Sequence, residues 1–265
     1  YGKGQPREEL PPELARAEQR LAKIREARAA LEQEARQRVE RAQQERAAAG
    51  GKPRSEAEKK RWQRAKKQSA KPTGQYNFTD PDSRVMLDNG TKRFVQAYNA
   101  QAAVDGDKQV IVAATVTQQV ADKEQLVPMV QQVEQRLGEK PQVLSADAGY
   151  FNTAQLKDES LQGMHVLVSP DGGNPAVPAA QLPATAPRNA TAQQMRERLA
   201  SAPGRAFYRM RKAIVEPVFA QIKELRRMRR FLLRGLAQVR AEWQLICLTH
   251  NLLKLYRHGW LPAAV

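Results

Sequence analysis

Two acidic residues in the second half of the chain lie in sequence contexts that could support chemistry. Asp147 follows the mostly apolar residues 143–146, and Glu216 lies 69 positions later, within the basic segment 208–223. The first context predicts a short strand with a carboxylate at its carboxyl end, where open sheets place functional groups. The second predicts a basic helix with one carboxylate. Carboxylates within a positive field indicate divalent metal ions and phosphate groups as ligands.

The net charge of +16 is concentrated in two segments. Residues 46–71 and residues 205–234 each contain ten Lys and Arg against two Glu, whereas the rest of the chain is balanced, with 24 basic and 24 acidic residues. Such clusters suit a polyanion, because each neutralised phosphate releases condensed counterions. They favour nucleic acid as the partner over a merely solvated charged surface.

Length and composition limit the class of protein. The chain has 265 residues, and its 41% hydrophobic content is enough for one sizeable core. The single cysteine, Cys247, cannot form an internal disulfide and favours a reducing compartment. Apolar runs of 18 residues and a signal-peptide pattern are both absent from the sequence. We therefore expect a soluble, cytoplasmic protein without a membrane partner.

The first 75 residues are predicted to lie outside the main domain. Residues 1–46 form a helical arm, because Pro11-Pro12 suits a helix start and the sequence after it has a narrow apolar stripe amid dense charge. We expect a short helical hairpin, or a helix laid on the main domain, rather than a long coiled coil. Residues 47–75 form a basic flexible linker, since they cannot bury enough apolar area to offset the entropy of ordering. Alternatively, residues 55–68 become helical against a phosphate backbone.

Residues 76–265 are predicted to form the main domain. Asp105-Gly106 is a tight-turn dipeptide between two β-patterned runs, which predicts a hairpin of residues 94–104 and 109–117. The second run is apolar on both faces, so we expect it to lie inside a sheet. A helix that Asp122 caps comes next in the sequence.

Further elements give this domain an alternating order. Gly138 ends the predicted helix, and strands at 142–147 and 164–169 follow, with a short helix at about 153–160 between them. The order strand, strand, helix, strand, helix, strand is typical of an α/β fold.

The carboxyl-terminal third is predicted to be helical after an irregular start. Residues 170–205 form an irregular excursion whose first part, residues 170–190, contains five prolines. A helix at about 191–233, broken near Pro203, and a second helix at 237–257 follow. We expect the second helix to pack on the sheet.

The surroundings of Glu216 predict a carboxylate in a cleft. Helical spacing puts Glu216 on one face with Arg209, Lys212 and Lys223, opposite an apolar stripe that can dock on the sheet. Because Pro217 disfavours helical geometry at the residue before it, we expect the helix to start or kink at Glu216. Two simpler interpretations stay open, namely that Asp147 opens a turn and that Glu216 is an ion-paired surface residue.

Taken together, these motifs resemble the DDE transposases of bacterial insertion sequences, specifically the group with a Tyr, Arg, Glu, Lys signature around the last acidic residue. The resemblance covers about residues 76–257, and the helical arm is similar to an insertion that these enzymes carry. The segments that carry the resemblance are 77–84, 96–101, 146–150, 208–223 and 231–235.

The resemblance implies roles for individual residues. Asp147 corresponds to the second acidic residue of the catalytic triad and Glu216 to the third. Tyr208 and Lys223 fit the signature spacing, but four residues instead of three separate Arg211 from Glu216, so either Arg211 or Lys212 takes the role of the arginine.

The first acidic residue of the triad has no match in this chain. In the family it lies upstream of the helical insertion, so the chain resembles the carboxyl-terminal part of such an enzyme and is expected to be inactive alone. The nearby acidic residues that could substitute for it are Asp80, Asp82, Asp105 and Asp107. Turn chemistry explains all four, and metal contact by Asp80 or Asp82 is the alternative that stays open.

The resemblance also implies a fold, a cofactor and a partner. The fold would be a mixed sheet of the ribonuclease H type without its first strand, with a helical arm before it and helices after it. Carboxylates would hold two Mg²⁺ or Mn²⁺ ions about 3.5–4 Å apart for cleavage and transfer of DNA strands at element ends. The partner would be double-stranded DNA, bound by a possible homodimer and in association with the nucleoid. The residues expected to contact DNA are Tyr208, Arg209, Arg211, Lys212, Lys223, Arg226, Arg227, Arg229 and Arg230.

Other functions were weighed against this one. A catalytically inactive, DNA-binding remnant of a transposase is the first alternative, and a basic RNA-binding structural protein is the second. A zinc site is not expected, because His165, His250, His258 and Cys247 lack paired ligand spacing.

Overall fold

The chain has a mixed α/β architecture. The structure is a computed structural model that describes residues 17–48, 63–64, 74–88, 90–171 and 190–259. The chain divides into two compact units, each with its own internal packing. The first unit comprises residues 1–85 and the second comprises residues 86–265. The division falls within the first strand, β1 (Arg84–Asp88).

The first unit contains one long helix, α1 (Ala17–Ala48). The helix is continuous, so the expected helical hairpin is wrong. Its side with small residues is buried, at Ala27 and Ala35, and Leu31 on the same side lies so close to Gly74 that a Cβ there would be 2.6 Å from a Leu31 methyl group. The predicted basic linker, residues 47–75, lies largely outside the described residues, as does its alternative helix at 55–68 except for residues 63–64.

A hydrogen-bonded turn precedes β1. The Ser83 hydroxyl donates to the Asp80 carbonyl oxygen at 2.8 Å, and the Asn77 side chain donates to the same hydroxyl at 3.0 Å. Asp80 therefore lies in a turn, as its surroundings in the sequence predicted. The Asp105 carboxylate likewise accepts from the backbone of Asp107 and Lys108.

Strands of the second unit pair two by two. β1 pairs with β2 (Arg93–Ala97), and β3 (Asn99–Val104) pairs antiparallel with β4 (Ile111–Thr117) as the predicted hairpin. β5 (Val143–Ala146) and β6 (His165–Val168) are parallel, with Leu144 opposite Val166.

In the described part of the second unit, one α-helix precedes β5 and three α-helices follow β6. The first, α2 (Leu126–Leu137), ends at Gly138, whose φ of +78° suits glycine. The others are α3 (Ala190–Ala200), α4 (Ala202–Ala220) and α5 (Leu236–Arg257). α3 occupies part of the expected irregular excursion. None of the helices in the described part of the chain is long and apolar enough to cross a membrane.

Two predicted helix starts are wrong. Residues Asp122–Glu124 form a 3₁₀ turn before α2, and the Asp122 carboxylate binds side chains instead of capping the helix. The short helix expected near 153–160 is replaced by the 3₁₀ turns Gln155–Lys157 and Glu159–Leu161.

Helices cover both faces of β4. Ile111, Ala114 and Val116 belong to a core shared with α4 and α5, whereas Ala113 packs with Met129 and Val133 of α2. In the described structure β4 pairs only with β3, so its expected place inside a sheet is wrong. Helices packed on both faces of β4 explain its apolar residues. A pattern of apolar residues shows that both faces are covered, but it does not show whether further strands pair with the edges of the strand.

β5 and β6 pack on a second core. Side chains of α2, α3 and α4 contribute to it, including Val130, Met195 and the almost completely buried Tyr208. Val143 and Leu144 of β5 pack against its edge. This core fixes α4 against the strand that ends before Asp147.

The expected helix start at Glu216 is wrong, because α4 continues through Pro217. The alternative, a kink at Glu216, stays a prediction. Proline lacks the N–H that would bond the Ala213 carbonyl group. The Gln109 side-chain amide, from the β3–β4 turn, donates to that carbonyl group at 2.9 Å. A π-helical turn, Gln221–Leu225, follows α4 directly.

Candidate active site

Asp147 lies where its sequence context predicted, immediately after the last residue of β5. Its backbone is extended, and its carbonyl oxygen accepts from the Tyr150 N–H at 3.0 Å, which closes a short 3₁₀ turn. The side chain is 65% exposed. The carboxylate is therefore presented to solvent at the carboxyl end of a parallel strand.

An arginine of α4 forms an ion pair with this carboxylate. Arg211 Nη1 donates to Asp147 Oδ1, and the Arg211 guanidinium also lies over the Tyr208 ring, 5.2 Å from its centre. Only 13% of the Arg211 side chain is exposed. Tyr208 and Arg211 lie one turn apart on the same side of the helix, so the buried tyrosine supports the arginine. Of the two candidates for the arginine role, Arg211 is the one that contacts Asp147, while Lys212 is exposed.

Glu216 lies on a different side of α4 from Arg211. They are five positions apart, which corresponds to about 7.5 Å along the helix axis and about 140° around it. The Glu216 side chain is exposed, together with Arg209, Lys212 and Lys223, as the helical spacing predicted. The opposite stripe, including Val218 and Ile222, is buried, also as predicted. A site that Asp147 and Glu216 share stays a prediction.

A partly buried polar network, with Gln101 at its centre, lies next to Asp147. The Tyr150 hydroxyl donates to Gln101 Oε1, and the Gln101 amide donates to Asp122 Oδ1 at 2.7 Å and to Asn99 Oδ1 at 2.8 Å. The Asn99 amide also donates to Asp122 Oδ1, at 2.7 Å. Trp243 of α5 completes the network by donating to the Gln101 carbonyl oxygen at 3.0 Å.

The sequence interpretation missed this network. Its signal is that Asn99 and Gln101, two positions apart, put polar side chains on one face of a strand whose other residues are mostly apolar. Burial raises the pKa of Tyr150, and the carboxylates of Asp122 and Asp147 raise it further. Tyr150 therefore stays protonated and holds its turn, directly after Asp147, on β3.

The arginine-rich segment after α4 mixes anchored and free side chains. We call residues 226–235 the arginine loop. Arg226 donates to Thr249 Oγ1 and, at 3.4 Å, to the Ile246 carbonyl oxygen, which anchors the loop on α5. Arg229 pairs with Glu224. The side chains of the loop that are exposed include Arg227 and Arg230.

Lys223 extends this positive surface. Its ammonium group lies 5.5 Å from the centre of the Phe219 ring. The pKa of Asp88 is lowered by hydrogen bonds from the Thr91 hydroxyl and the Gly90 N–H, and to a smaller extent by the charge of Lys223. Lys223 therefore lies near the turn between β1 and β2.

The donor atoms at the candidate site suit a hard cation. Asp147 and Glu216 both offer exposed carboxylate oxygens, the ligands that Mg²⁺ prefers. One oxygen of Asp147 is engaged by Arg211, so a cation would share or compete for this group. Groups of three or more His, Cys, Asp or Glu that could hold a metal ion are absent from the part of the chain that the structure describes. Burial raises the pKa of the Cys247 thiol to about 12, which opposes a thiolate ligand.

Comparison with known proteins gives one match. The family described as "Transposase DDE domain" matches residues 69–252, a range that includes Asp147, Arg211, Glu216 and the arginine loop. No curated protein and no solved structure shows a significant match to the chain.

Proposed function

We propose a function in DNA strand cleavage and transfer at insertion-sequence ends for this chain, which belongs to the transposase DDE domain family. The observation that carries the proposal is the contact between Asp147, at the end of β5, and Arg211 of the basic helix α4. This contact places a carboxylate and a phosphate-binding type of side chain within reach of one substrate. It therefore supports chemistry on phosphate groups.

Asp147 and Glu216 are the residues proposed to hold Mg²⁺ or Mn²⁺. When bound, such an ion would activate the attacking oxygen and stabilise the leaving oxygen at phosphorus. Arg211 positions Asp147 through its guanidinium group, and Tyr150 fixes the turn behind it. Oxygen donors and partial exposure fit this assignment.

Double-stranded DNA is the proposed substrate, and a homodimer on DNA is the proposed assembly. The exposed cations of α4 and of the arginine loop offer contacts to phosphate groups along a duplex. The side chains expected to contribute are Tyr208, Arg209, Arg211, Lys212, Lys223, Arg226, Arg227, Arg229 and Arg230. Among them, Tyr208 is buried and would act by supporting Arg211.

We also propose a ribonuclease H type of fold for this domain. Support comes from the antiparallel pair β3–β4 and the parallel pair β5–β6, with helices on their faces. A mixed sheet of that type combines both kinds of pairing, and its catalytic carboxylates lie beyond strand ends. In this proposal the three parts of the chain are an arm (1–46), a linker (47–75) and a catalytic domain (76–265).

Strand cleavage by the full-length protein tests the function. We expect the protein to cleave the ends of its own element when Mg²⁺ or Mn²⁺ is present. Asp147→Asn and Glu216→Gln should each reduce the cleavage rate by at least about a hundredfold. Matched controls are Asp158→Asn, at a local cap where the amide oxygen can still accept, and Glu197→Gln on α3. Cleavage that both site variants leave undiminished would exclude these residues as the catalytic pair.

A DNA-binding protein without cleavage activity is the second candidate function. The observation that favours it is the Arg211 guanidinium, which neutralises the carboxylate that a metal ion would need. In that case the full-length protein would bind duplex DNA with a steep salt dependence and would leave the strands intact at every Mg²⁺ and Mn²⁺ concentration.

A further inference from the structure

The arginine loop presents two adjacent leucine side chains to solvent, and we call these residues, Leu232 and Leu233, the tip of the loop. Leu232 is 80% exposed and Leu233 is 49% exposed, and the two lie between Arg230 and Arg234. Single exposed leucines are common on protein surfaces. Two adjacent ones between arginines, however, offer an apolar contact within a basic surface.

Hydrogen bonds fix the backbone of this tip. The Glu242 carboxylate of α5 accepts from the Leu232 N–H at 2.8 Å and from the Leu233 N–H at 2.9 Å. The residue before the leucines, Phe231, is anchored by edge-to-face contacts with Tyr98 and Trp243, at 6.4 and 6.3 Å between ring centres. Anchoring on both sides presents Leu232 outward in a preorganised loop.

Charge around the tip indicates the partner. Five of the ten residues of the loop are arginines, and none is acidic. Arg230 and Arg234, next to the leucines, are both exposed. An apolar tip flanked by cations is complementary to a duplex, because the cations can bind the phosphates that border a groove while the apolar tip contacts base faces that become accessible when a base step opens.

We propose that Leu232 is a wedge that enters between adjacent base pairs of duplex DNA, while Arg230 and Arg234 bind the flanking phosphates. Apolar side chains inserted in this way unstack a base step and kink the duplex. The proposal rests on the proposed function, because it takes DNA as the partner, but it requires neither metal ions nor cleavage. It assigns the loop a role in distorting DNA beyond neutralising its backbone.

Leu225 provides a matched control within the chain. It is 79% exposed, almost the same as Leu232, but it lies in the π-helical turn, next to the acidic Glu224. Substitution of either leucine by alanine removes the same apolar atoms from an exposed position. Only the change at Leu232 removes the proposed wedge.

The experiment uses the full chain and short duplexes that carry 2-aminopurine, a base whose fluorescence rises when it is unstacked. At low salt we expect the wild-type protein to raise the fluorescence several-fold at saturation. Leu232→Ala should abolish this rise and weaken binding by less than about tenfold, because the arginines keep their phosphate contacts. Leu232→Met should retain the rise, and Leu225→Ala should behave as wild type.

Separate outcomes distinguish this proposal from the others. Full fluorescence with Leu232→Ala, equal loss with Leu225→Ala, or a saturated complex without any rise would each overturn the wedge. The wedge would also be overturned if the protein bound vesicles of anionic phospholipid in a way that depends on Leu232 but did not unstack DNA. Failure of Asp147→Asn and Glu216→Gln to alter cleavage would instead reject the proposed catalytic pair and leave the fluorescence result intact.

Thermal unfolding followed by circular dichroism verifies that each variant folds, and Leu232→Gln replaces Leu232→Ala if that variant does not.

Discussion

The Arg211 guanidinium donates to the Asp147 carboxylate across 64 positions of sequence. The arginine is largely enclosed, whereas the aspartate is open to solvent. The contact thus holds one oxygen of the carboxylate and leaves the other accessible. It links the end of β5 to the middle of α4, the two elements that carry the proposed catalytic residues.

Replacement of Arg211 should change the affinity of the site for a metal ion. We expect Arg211→Gln to bind Mn²⁺ up to about fivefold more tightly, the equivalent of about 1 kcal/mol, because a competing positive charge is removed from a partly exposed carboxylate. Isothermal titration with Mn²⁺ measures this. Lys212→Gln is the control, since it removes an exposed neighbouring charge, and weaker Mn²⁺ binding by Arg211→Gln would contradict the expectation.

Gln109 and Pro217 should be energetically coupled. Gln109→Ala leaves the Ala213 carbonyl group without its donor, and we expect it to lower the free energy of unfolding by about 1–2 kcal/mol. In a Pro217→Ala background the restored N–H can bond Ala213 within the helix, so the same change should cost about 1 kcal/mol less.

Urea unfolding of the two single variants and the double variant measures this coupling. Pro203→Ala serves as the control partner, because Pro203 lies in the first turn of α4, where no helical donor is lost. Additive effects of Gln109→Ala and Pro217→Ala would show that the Gln109 side chain does not satisfy Ala213.

His250 should make stability depend on pH. Burial lowers its pKa below the usual 6.5, the Gln109 carbonyl oxygen partly opposes this, and the charges of Lys254 and Arg226 lower it further. Because the unfolded chain then binds a proton at a higher pH than the folded chain, stability is complete above about pH 6.5 and falls as the pH decreases below it. The free energy of unfolding should therefore be lower at pH 5.5 than at pH 7.5.

Unfolding by urea at several pH values, compared between variants, isolates this contribution. His250→Gln should remove that part of the pH dependence, whereas His258→Gln, at an exposed position after α5, should retain it. Parallel curves for wild type and His250→Gln would mean that other groups cause the dependence.

Local patterns were enough to predict part of this molecule. Period-two alternation located the β3–β4 hairpin, and the apolar residues before Asp147 located β5 and its end. Helical spacing distinguished the exposed face that carries Glu216 from the buried apolar stripe that includes Val218 and Ile222. Each of these features depends on residues close together in sequence.

Features that depend on distant residues were missed. The sequence predicted a helix start or a kink at Glu216, but α4 continues past it, and Gln109, 104 positions before Ala213, supplies the lost hydrogen bond. Asp122 was expected to cap a helix, but Gln101 and Asn99 bind its carboxylate. Which of Arg211 and Lys212 contacts Asp147 also depends on the position of β5, which lies far from them in sequence.

Gln109 joins three parts of the second unit through separate atoms. Its amide nitrogen bonds Ala213 of α4, while its amide oxygen and its backbone carbonyl oxygen meet Lys254 and His250 of α5. α4 and α5 are therefore connected through the β3–β4 turn as well as through the arginine loop that joins them in sequence. The spacing of the two helices is thereby set by the contacts of Gln109 in addition to the arginine loop, whose own backbone is anchored on α5.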